Sequence, residues 1–163
     1  MSNPYTGIVA SSLRKAALLL ETENAAPLAR TALYEAVVLQ LWRAYRAFLA
    51  ELAFQLQLMT EPESAQTLAE CAQAAGKTCS QAVELQELLA NRNSWLAQMQ
   101  AAWRQLWHFS QEKCGDRPQG DNLIPVQDIS ASAAPVLNDS LLWEWHGALG
   151  ELVQRQRAQA EEW

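Results

Sequence analysis

Residues 27–59, PLARTALYEAVVLQLWRAYRAFLAELAFQLQLM, decide the fold of this chain. Apolar side chains recur in this stretch at the spacing of an α-helix, and they form two rows on different sides of it. The rows are Leu33, Val37, Leu41, Ala44, Phe48 and Val38, Tyr45, Leu49, Leu52, Leu56. Apolar rows on two sides are typical of a helix with neighbours on both. The stretch would span roughly 50 Å at 1.5 Å per residue, and we expect it to be the central helix of a bundle.

The segment that follows contains two possible helix starts. Each consists of a Thr followed three residues later by Glu or Gln, which is the spacing of a capping box. The pairs are Thr60 with Glu63 and Thr78 with Gln81. Gly76 lies between them and interrupts the helical pattern. The sequence leaves open whether residues 61–90 form one kinked helix or two.

Helices are also predicted at the two ends of the chain. The first begins at Ser2 or Asn3, with Pro4 near its first position, and runs to about Glu23. The last begins at a cap formed by Asp139 and runs to about residue 160. Neither segment has the alternating pattern of a β-strand.

A long connection, residues 114–138, precedes the last helix. It is rich in Gly, Pro, Asp and Ser but also contains apolar residues, which predicts an ordered crossover along the bundle surface. We therefore predict one domain, residues 1–163. Its fold class is all-α, an up-and-down bundle of four to five helices with a long central second helix and an extended crossover before the last helix.

Composition and charge argue against several classes of function. The chain has 163 residues and a net charge of −6, and an acidic chain with scattered basic residues does not favour nucleic-acid binding. Cys71, Cys79 and Cys114 form no Cys-x-x-Cys pair, which indicates free thiols in a reducing cytoplasm rather than disulfides or a zinc site. No apolar run is long enough to span a membrane. We expect no cofactor, no metal and a cytoplasmic location.

Residues 93–109, NSWLAQMQAAWRQLWHF, place three tryptophans on the apolar side of a helix predicted to run to about Lys113. Such a stripe of apolar side chains is typical of a helix face that is buried in the hydrophobic core. The alternative is a small-molecule cavity inside the bundle, lined by these and other aromatic residues. The candidate cavity residues are Tyr34, Trp42, Tyr45, Trp95, Trp103 and Trp107. His108 lies on the polar side between Arg104 and Glu112, as in a solvated ladder of charged side chains.

The last predicted helix contains one tryptophan that breaks the core pattern. Trp143 projects about 160° from Trp145, beside Gly147 and Gly150. An aromatic side chain next to two small residues can dock a partner helix or a second copy of the chain. The alternative is that the crossover covers Trp143. His146, at the border of the apolar arc, fits a hydrogen-bonded packing residue better than a catalyst.

Enzymatic function finds little support in the motifs. The chain has no G-x-S-x-G elbow, no P-loop and no G-x-G-x-x-G. The sharpest enzyme alternative is a ribonuclease of the HEPN type, in which about four to six residues separate an Arg from a His. Only Gln105, Leu106 and Trp107 separate Arg104 from His108. Arg43 and Arg46 could bind an anion, but we expect them to pair with acids such as Glu35 or Glu51.

Two segments together resemble a known family. They are ARTALYEAVVLQLWRAYRAFLAEL at 29–52 and LQELLANRNSWLAQMQAAWRQLW at 85–107, with NSWL the most recognisable piece. Over about residues 1–113 the chain resembles a family of short uncharacterised gamma-proteobacterial proteins, known as a domain of unknown function. The resemblance implies an all-helical, bacterial, intracellular protein. It implies no catalytic residue, cofactor or partner.

These observations favour a non-catalytic cytosolic protein-interaction or scaffolding module. We expect the chain to associate with itself as a dimer, or with another protein, through a surface that contains Trp143, Gly147 and Gly150. The alternative from a different class is small-molecule binding in an aromatic-lined cavity of roughly 300 Å³ or more. A HEPN-like ribonuclease is the remote alternative.

Overall fold

The computed structural model describes residues 3–109 and 134–161, and all regular secondary structure within them is helical. The helices are α1 (Thr6–Leu20), α2 (Pro27–Gln55), α3 (Ala65–Ala74), α4 (Ser80–Ala90), α5 (Trp95–Leu106) and α6 (Asp139–Glu161). The chain is all-α, as predicted. The predicted count of four to five helices is too low, since six are found in the described ranges. Most of the predicted crossover, residues 114–133, lies outside those ranges.

Gly76 is the reason that residues 61–90 form two helices. Its backbone takes φ +67°, in the left-handed region that favours glycine. The amide of Lys77 then bonds back to the carbonyl of Ala72 at 2.9 Å, which is the closing bond of a Schellman motif. α3 therefore ends before Gly76, and α4 begins after it as a separate helix.

α2 ends at Gln55 and not at the predicted Met59. Gln57 takes φ +52°, and the amide of Leu58 bonds to the carbonyl of Ala53 at 2.9 Å. This is the same Schellman geometry with glutamine in the position that glycine usually occupies. The apolar pattern continues past this point, so periodicity alone overestimates the length of the helix.

The helix starts of α3 and α4 differ from the predicted capping boxes. Ser64, not Thr60, caps α3, and its hydroxyl accepts a hydrogen bond from the amide of Thr67 at 3.0 Å. α4 begins after Cys79 without a side-chain cap, so Thr78 does not act as one. Several residues in each turn are able to cap, and the entry angle of the chain selects among them.

The starts of the two terminal helices also differ from the predicted caps. α1 begins at Thr6 and ends at Leu20, and Tyr5 occupies its N-cap position without a side-chain hydrogen bond, so neither Ser2 nor Asn3 is its cap. Asn3 accepts a hydrogen bond from the amide of Tyr5 at 3.0 Å, just before α1. Asn138, rather than the predicted Asp139, accepts a hydrogen bond from the amide of Leu141 at 3.0 Å. Asp139 becomes the first residue of α6, where a carboxylate faces the positive end of the helix dipole.

α5 ends at Leu106, well short of the predicted Lys113. The amides of the next two residues bond three residues back, at 3.2 and 3.0 Å, which is the tighter hydrogen-bond spacing of a closing turn. Trp107 and Phe109 are consequently 57% and 84% exposed and do not continue the apolar stripe. Residues 110–113 lie outside the described ranges.

α2 contacts the other long helices, and polar contacts give their directions. The side-chain amide of Asn3 donates to the carbonyl of Glu51 at 3.0 Å, so α1 runs antiparallel to α2. The hydroxyl of Tyr34 bonds to Asp139 at 3.0 Å, so α6 starts beside the start of α2 and runs parallel to it. α3 and α4 lie at the far end of α2, where Lys77 donates to the carbonyl of Leu56.

One cluster of buried apolar side chains includes residues from all six helices. Both predicted rows of α2 contribute to it, which confirms that neighbours pack on two sides of this helix. The buried row members are Val37, Leu41, Ala44, Phe48, Val38, Tyr45, Leu49 and Leu52. No helix among the described residues is long and apolar enough to cross a membrane.

Candidate interaction surface and ligand groove

α6 presents a buried face to the bundle and one large aromatic side chain to solvent. Leu142, Trp145 and Leu149 are 0% exposed, whereas Trp143 is 40% exposed. Residues two apart on a helix point about 200° apart, so Trp143 cannot share the face that buries Trp145. This is the orientation that the sequence predicts for the two tryptophans.

The imidazole ring of His146 packs against one side of the Trp143 ring. The two rings meet edge to face with centroids 5.4 Å apart, and the Nε2 atom of His146 lies 3.1 Å from the carbonyl oxygen of Leu13 on α1. Because a carbonyl oxygen only accepts, this Nε2 carries the hydrogen. His146 is therefore a hydrogen-bonded packing residue that links α6 to α1 and supports Trp143.

Gly147 and Gly150 leave open surface beside Trp143. A Cβ atom built on either glycine meets no atom of the described residues within 4 Å. The close packing contact that mid-helix glycines suggest is therefore not made by this part of the chain. We call Trp143, Gly147 and Gly150 the α6 patch. The predicted alternative, cover by the crossover, concerns a segment of which residues 114–133 lie outside the described ranges.

Four of the six candidate cavity residues pack on one another. Trp42 lies 5.0 Å from Tyr45 and stacks on Trp103 at 5.7 Å with an interplanar angle of 15°. Trp103 in turn meets Trp107 at 5.4 Å. These rings fill the space between α2 and α5, and Trp95 packs against the same core. Burial raises the pKa of Tyr45 to about 12, against smaller opposing effects of Arg46 and the Ala65 backbone.

The other candidate, Tyr34, lines an open groove together with Trp107. The groove has a volume of about 720 Å³ and lies between α2, α5 and residues 134–137. Its polar members include Glu35 and His108, and its apolar members include Leu39, Leu106 and Val136. The volume of the groove is within the predicted range of roughly 300 Å³ or more, but the groove is open and only two of the six predicted residues line it.

Tyr34 also belongs to a small polar cluster with Asp139 and Arg30. The Tyr34 hydroxyl bonds to Asp139 at 3.0 Å, and Arg30 lies 3.7 Å from the same carboxylate. Burial and the hydrogen bond to Asp139 raise the pKa of the Tyr34 phenol, so the phenol stays protonated and donates. The contact ties the start of α6 to α2.

The buried acid Glu51 was not identified as a site residue by the sequence reasoning. It is 2% exposed and accepts two hydrogen bonds from Arg157, each at 2.8 Å, and one from Thr6 at 3.3 Å. The expected pairing of Glu51 with Arg43 or Arg46 is wrong, since α6 supplies the partner. Glu51 lies three residues after Phe48, so it falls on one of the predicted apolar rows of α2. A charged residue in an apolar row was the signal from which the burial of Glu51 could have been predicted.

The two residues of the ribonuclease alternative lie at the end of α5. Arg104 is in the last turn and His108 follows the helix, and both are exposed. His108 lines the groove, whereas Arg104 lines a separate hollow. The ribonuclease alternative stays a prediction.

The described residues contain no group of three or more His, Cys, Asp or Glu side chains placed to hold a metal ion. Cys71 and Cys79 are free thiols, and burial raises the pKa of Cys79. A raised pKa lowers the fraction of reactive thiolate. Cys114 lies outside the described ranges.

Comparisons with known proteins give one match. A model for a family of unknown function matches residues 9–163. The match extends through the last helix, beyond residue 113 where the resemblance was expected to fade. Neither the curated proteins nor the solved structures contain a match to the chain. The chain therefore belongs to the family of unknown function DUF6586.

Proposed function

We propose that this chain is a non-catalytic protein-interaction module of the bacterial cytoplasm, and that it associates with itself through the α6 patch. The observation that carries the proposal is the pairing of an exposed Trp143 with open surface at Gly147 and Gly150 on one face of the same helix. Aromatic side chains that enter a recess are the usual anchors of protein interfaces.

The spacing within the patch suits a twofold-symmetric contact. Trp143 and Gly150 are seven residues apart, which puts them on nearly the same side of α6 and about 10 Å apart along its axis. In an antiparallel pair of α6 helices, Trp143 of one copy would lie over Gly150 of the other, and the symmetry axis would repeat the contact. Gly147, near that axis, would allow the two backbones to approach closely.

Sedimentation velocity over a concentration series tests this function. We expect the wild type to form a dimer, and Trp143→Ala to weaken its dissociation constant by about 30-fold or more, as loss of an interface anchor does. Gly150→Leu, which fills the recess, should have the same effect. Both variants should retain the far-UV circular dichroism of the wild type.

Trp107→Ala is the matched control, because Trp107 is 57% exposed but belongs to the groove. It should dimerise like the wild type. A wild type that stays monomeric at all concentrations, or a Trp143→Ala variant that dimerises with unchanged affinity, would overturn self-association through this patch.

The second candidate function is small-molecule binding, and the groove of about 720 Å³ favours it. This volume is in the range of ligand sites, and Tyr34 and His108 supply polar groups beside an apolar wall. Native mass spectrometry of the purified protein should then reveal a bound molecule. The double variant Tyr34→Ala, Trp107→Ala should lose it, whereas Trp143→Ala should keep it. A wild type with no added mass after exposure to a metabolite extract would count against this candidate.

A further inference from the structure

We propose that a hollow beside α5 binds a small ligand that carries an oxyanion, either a carboxylate or a phosphate, between Arg92 and Arg104. The hollow has a volume of about 440 Å³. It is formed by the turn between α4 and α5, by one face of α5 and by Pro135. It is separate from the α6 patch, so this inference does not depend on the proposed self-association.

The chemistry of the lining favours an anion. Besides the two arginines, the amide side chains of Asn93, Gln98 and Gln100 border the hollow, and the described residues that line it include no carboxylate. Guanidinium groups bind carboxylates and phosphates through paired, charge-assisted hydrogen bonds, and amide groups add neutral donors. The hollow thus combines positive charge with donors in a chain whose net charge is −6.

The ion pairing of the arginines supports the same conclusion. Arg14, Arg30, Arg155 and Arg157 each lie within ion-pair distance of a carboxylate. Among the described residues, Arg43, Arg46, Arg92 and Arg104 have no such partner, and of these four Arg92 and Arg104 border the same hollow. Two guanidinium groups on one hollow without a described counter-charge favour the binding of an anion there.

The backbone determines the positions from which Arg92 and Arg104 reach the hollow. The side chain of Asn91 accepts a hydrogen bond from the amide of Asn93 at 3.0 Å, which holds the turn that carries Arg92. Arg104 lies in the last turn of α5, on the same face as Ala97 and Ala101, which border the hollow with short side chains. The arginines therefore approach from the two ends of α5, with room between them for a small molecule.

Isothermal titration calorimetry at low ionic strength tests the proposal with two probes, succinate and inorganic phosphate. We expect the wild type to bind at least one of them, and Arg92→Gln and Arg104→Gln each to weaken that binding by about 10-fold or more, because each removes a charge-assisted contact. Tighter binding of succinate would identify a carboxylate ligand, and tighter binding of phosphate would identify a phosphate ligand.

Arg43→Gln is the matched control, because it removes the same charge from an exposed arginine of α2 outside the hollow. It should bind like the wild type. Gln100→Glu, which adds a carboxylate to the hollow, should abolish binding. All variants should retain the far-UV circular dichroism of the wild type, which separates lost binding from lost folding. The proposal is overturned if neither probe binds the wild type, or if Arg43→Gln weakens binding as much as the variants of the hollow.

Discussion

At the scale of single residues, Glu51 shows how one buried charge depends on distant parts of the chain. Its carboxylate is 2% exposed and its partner Arg157 lies 106 residues away in sequence. The arginine side chain keeps 29% exposure. Loss of the arginine would leave a buried, unpaired carboxylate, whereas loss of the carboxylate charge would leave a cation that can still reach water.

We therefore predict that Arg157→Met destabilises the fold more than Glu51→Gln does. Arg157→Met should reduce the free energy of unfolding by about 3 kcal/mol and Glu51→Gln by about 1 kcal/mol, as measured by urea denaturation. Arg155→Met is the control on the same helix. Its side chain is 55% exposed, so its contact with Glu84 should contribute less than about 1 kcal/mol. Equal losses for Arg157→Met and Glu51→Gln would contradict the argument.

Tyr45 predicts a dependence on alkaline pH. Burial raises its pKa from 10.0 to about 12, so the folded chain keeps a proton that the unfolded chain releases. The stability linked to this group is complete below about pH 10 and is lost as the pH rises toward 12, by about 3 kcal/mol in all. Tyr45→Phe lacks the group and should lose less stability over that interval, as followed by urea unfolding at several pH values.

The same variant also tests the hydroxyl at neutral pH. The Tyr45 hydroxyl is buried and has no hydrogen-bond partner among the described residues. Its removal should therefore change the free energy of unfolding by less than about 1 kcal/mol, in either direction. A larger loss near pH 7 would show that the hydroxyl is hydrogen-bonded in the folded protein. If the pH profiles of wild type and Tyr45→Phe run parallel up to about pH 12, burial does not raise the pKa of Tyr45.

At the scale of helices, two glycines in this chain have opposite roles. Gly76 takes φ +67° to end α3, whereas Gly147 lies within α6, and neither has a described atom within 4 Å of an added Cβ. An added Cβ atom therefore has room at both glycines, and the two positions differ only in backbone conformation. Alanine is strained in the left-handed region but favours a helix interior over glycine.

We predict that the same substitution has opposite effects at the two positions. Gly76→Ala should lower the free energy of unfolding by about 1 kcal/mol, and Gly147→Ala should raise that of the monomer by up to about 1 kcal/mol. Thermal unfolding at low protein concentration, where any dimer has dissociated, is the appropriate measurement. Destabilisation by both substitutions would show that Gly147 makes a packing contact within its own chain.

Periodicity predicted the helices better than local signals predicted their ends. The two apolar rows of α2 are buried as expected, because burial of a helix face depends on spacing that any window of the sequence contains. The caps were displaced, for example from Thr60 to Ser64, because several polar residues in a turn compete for one role. α2 ends just before Gln57, which takes a left-handed backbone conformation although it is not a glycine. This end of the helix was therefore not predictable from a glycine in the sequence.

The site was predictable only where one helix contains it. The outward direction of Trp143 follows from its angle to Trp145, and the structure leaves it 40% exposed. The hollow beside α5 requires Pro135 to lie near Arg92 and Arg104, and the Glu51 ion pair requires the ends of two helices to meet. Such contacts depend on tertiary packing, which no single helical pattern specifies.

At the scale of the whole molecule, α6 is fixed to α2 at both ends. Asp139 contacts Tyr34 and Arg30 near the start, and Arg157 pairs with Glu51 near the finish. Between these points Leu142, Trp145 and Leu149 of α6 are fully buried, so the register of the two parallel helices is determined by polar contacts at the ends and apolar packing in the middle. The α6 patch thus lies on a helix that is fixed to α2 at both ends.

The short helices α3 and α4 lack this double attachment. They have 10 and 11 residues, and their buried residues are Ala65, Leu68 and Ala72 in α3 and Ala82 and Leu85 in α4. Helices of this length are marginal on their own, and the free energy that holds them comes from apolar burial against the bundle. α4 has an additional tie, because Glu84 accepts hydrogen bonds from Arg155 and Gln156 of α6.

We therefore predict that α3 and α4 open as a unit without unfolding of the rest. In native-state hydrogen exchange followed by mass spectrometry, their amides should exchange at an opening free energy at least about 2 kcal/mol below that of α2. Glu84→Gln should lower the value for both short helices further and leave α2 unchanged, since it weakens only the tie between α4 and α6. Exchange of α3, α4 and α2 at one common free energy would mean that the six helices form a single cooperative unit, with the short helices held as firmly as the long ones.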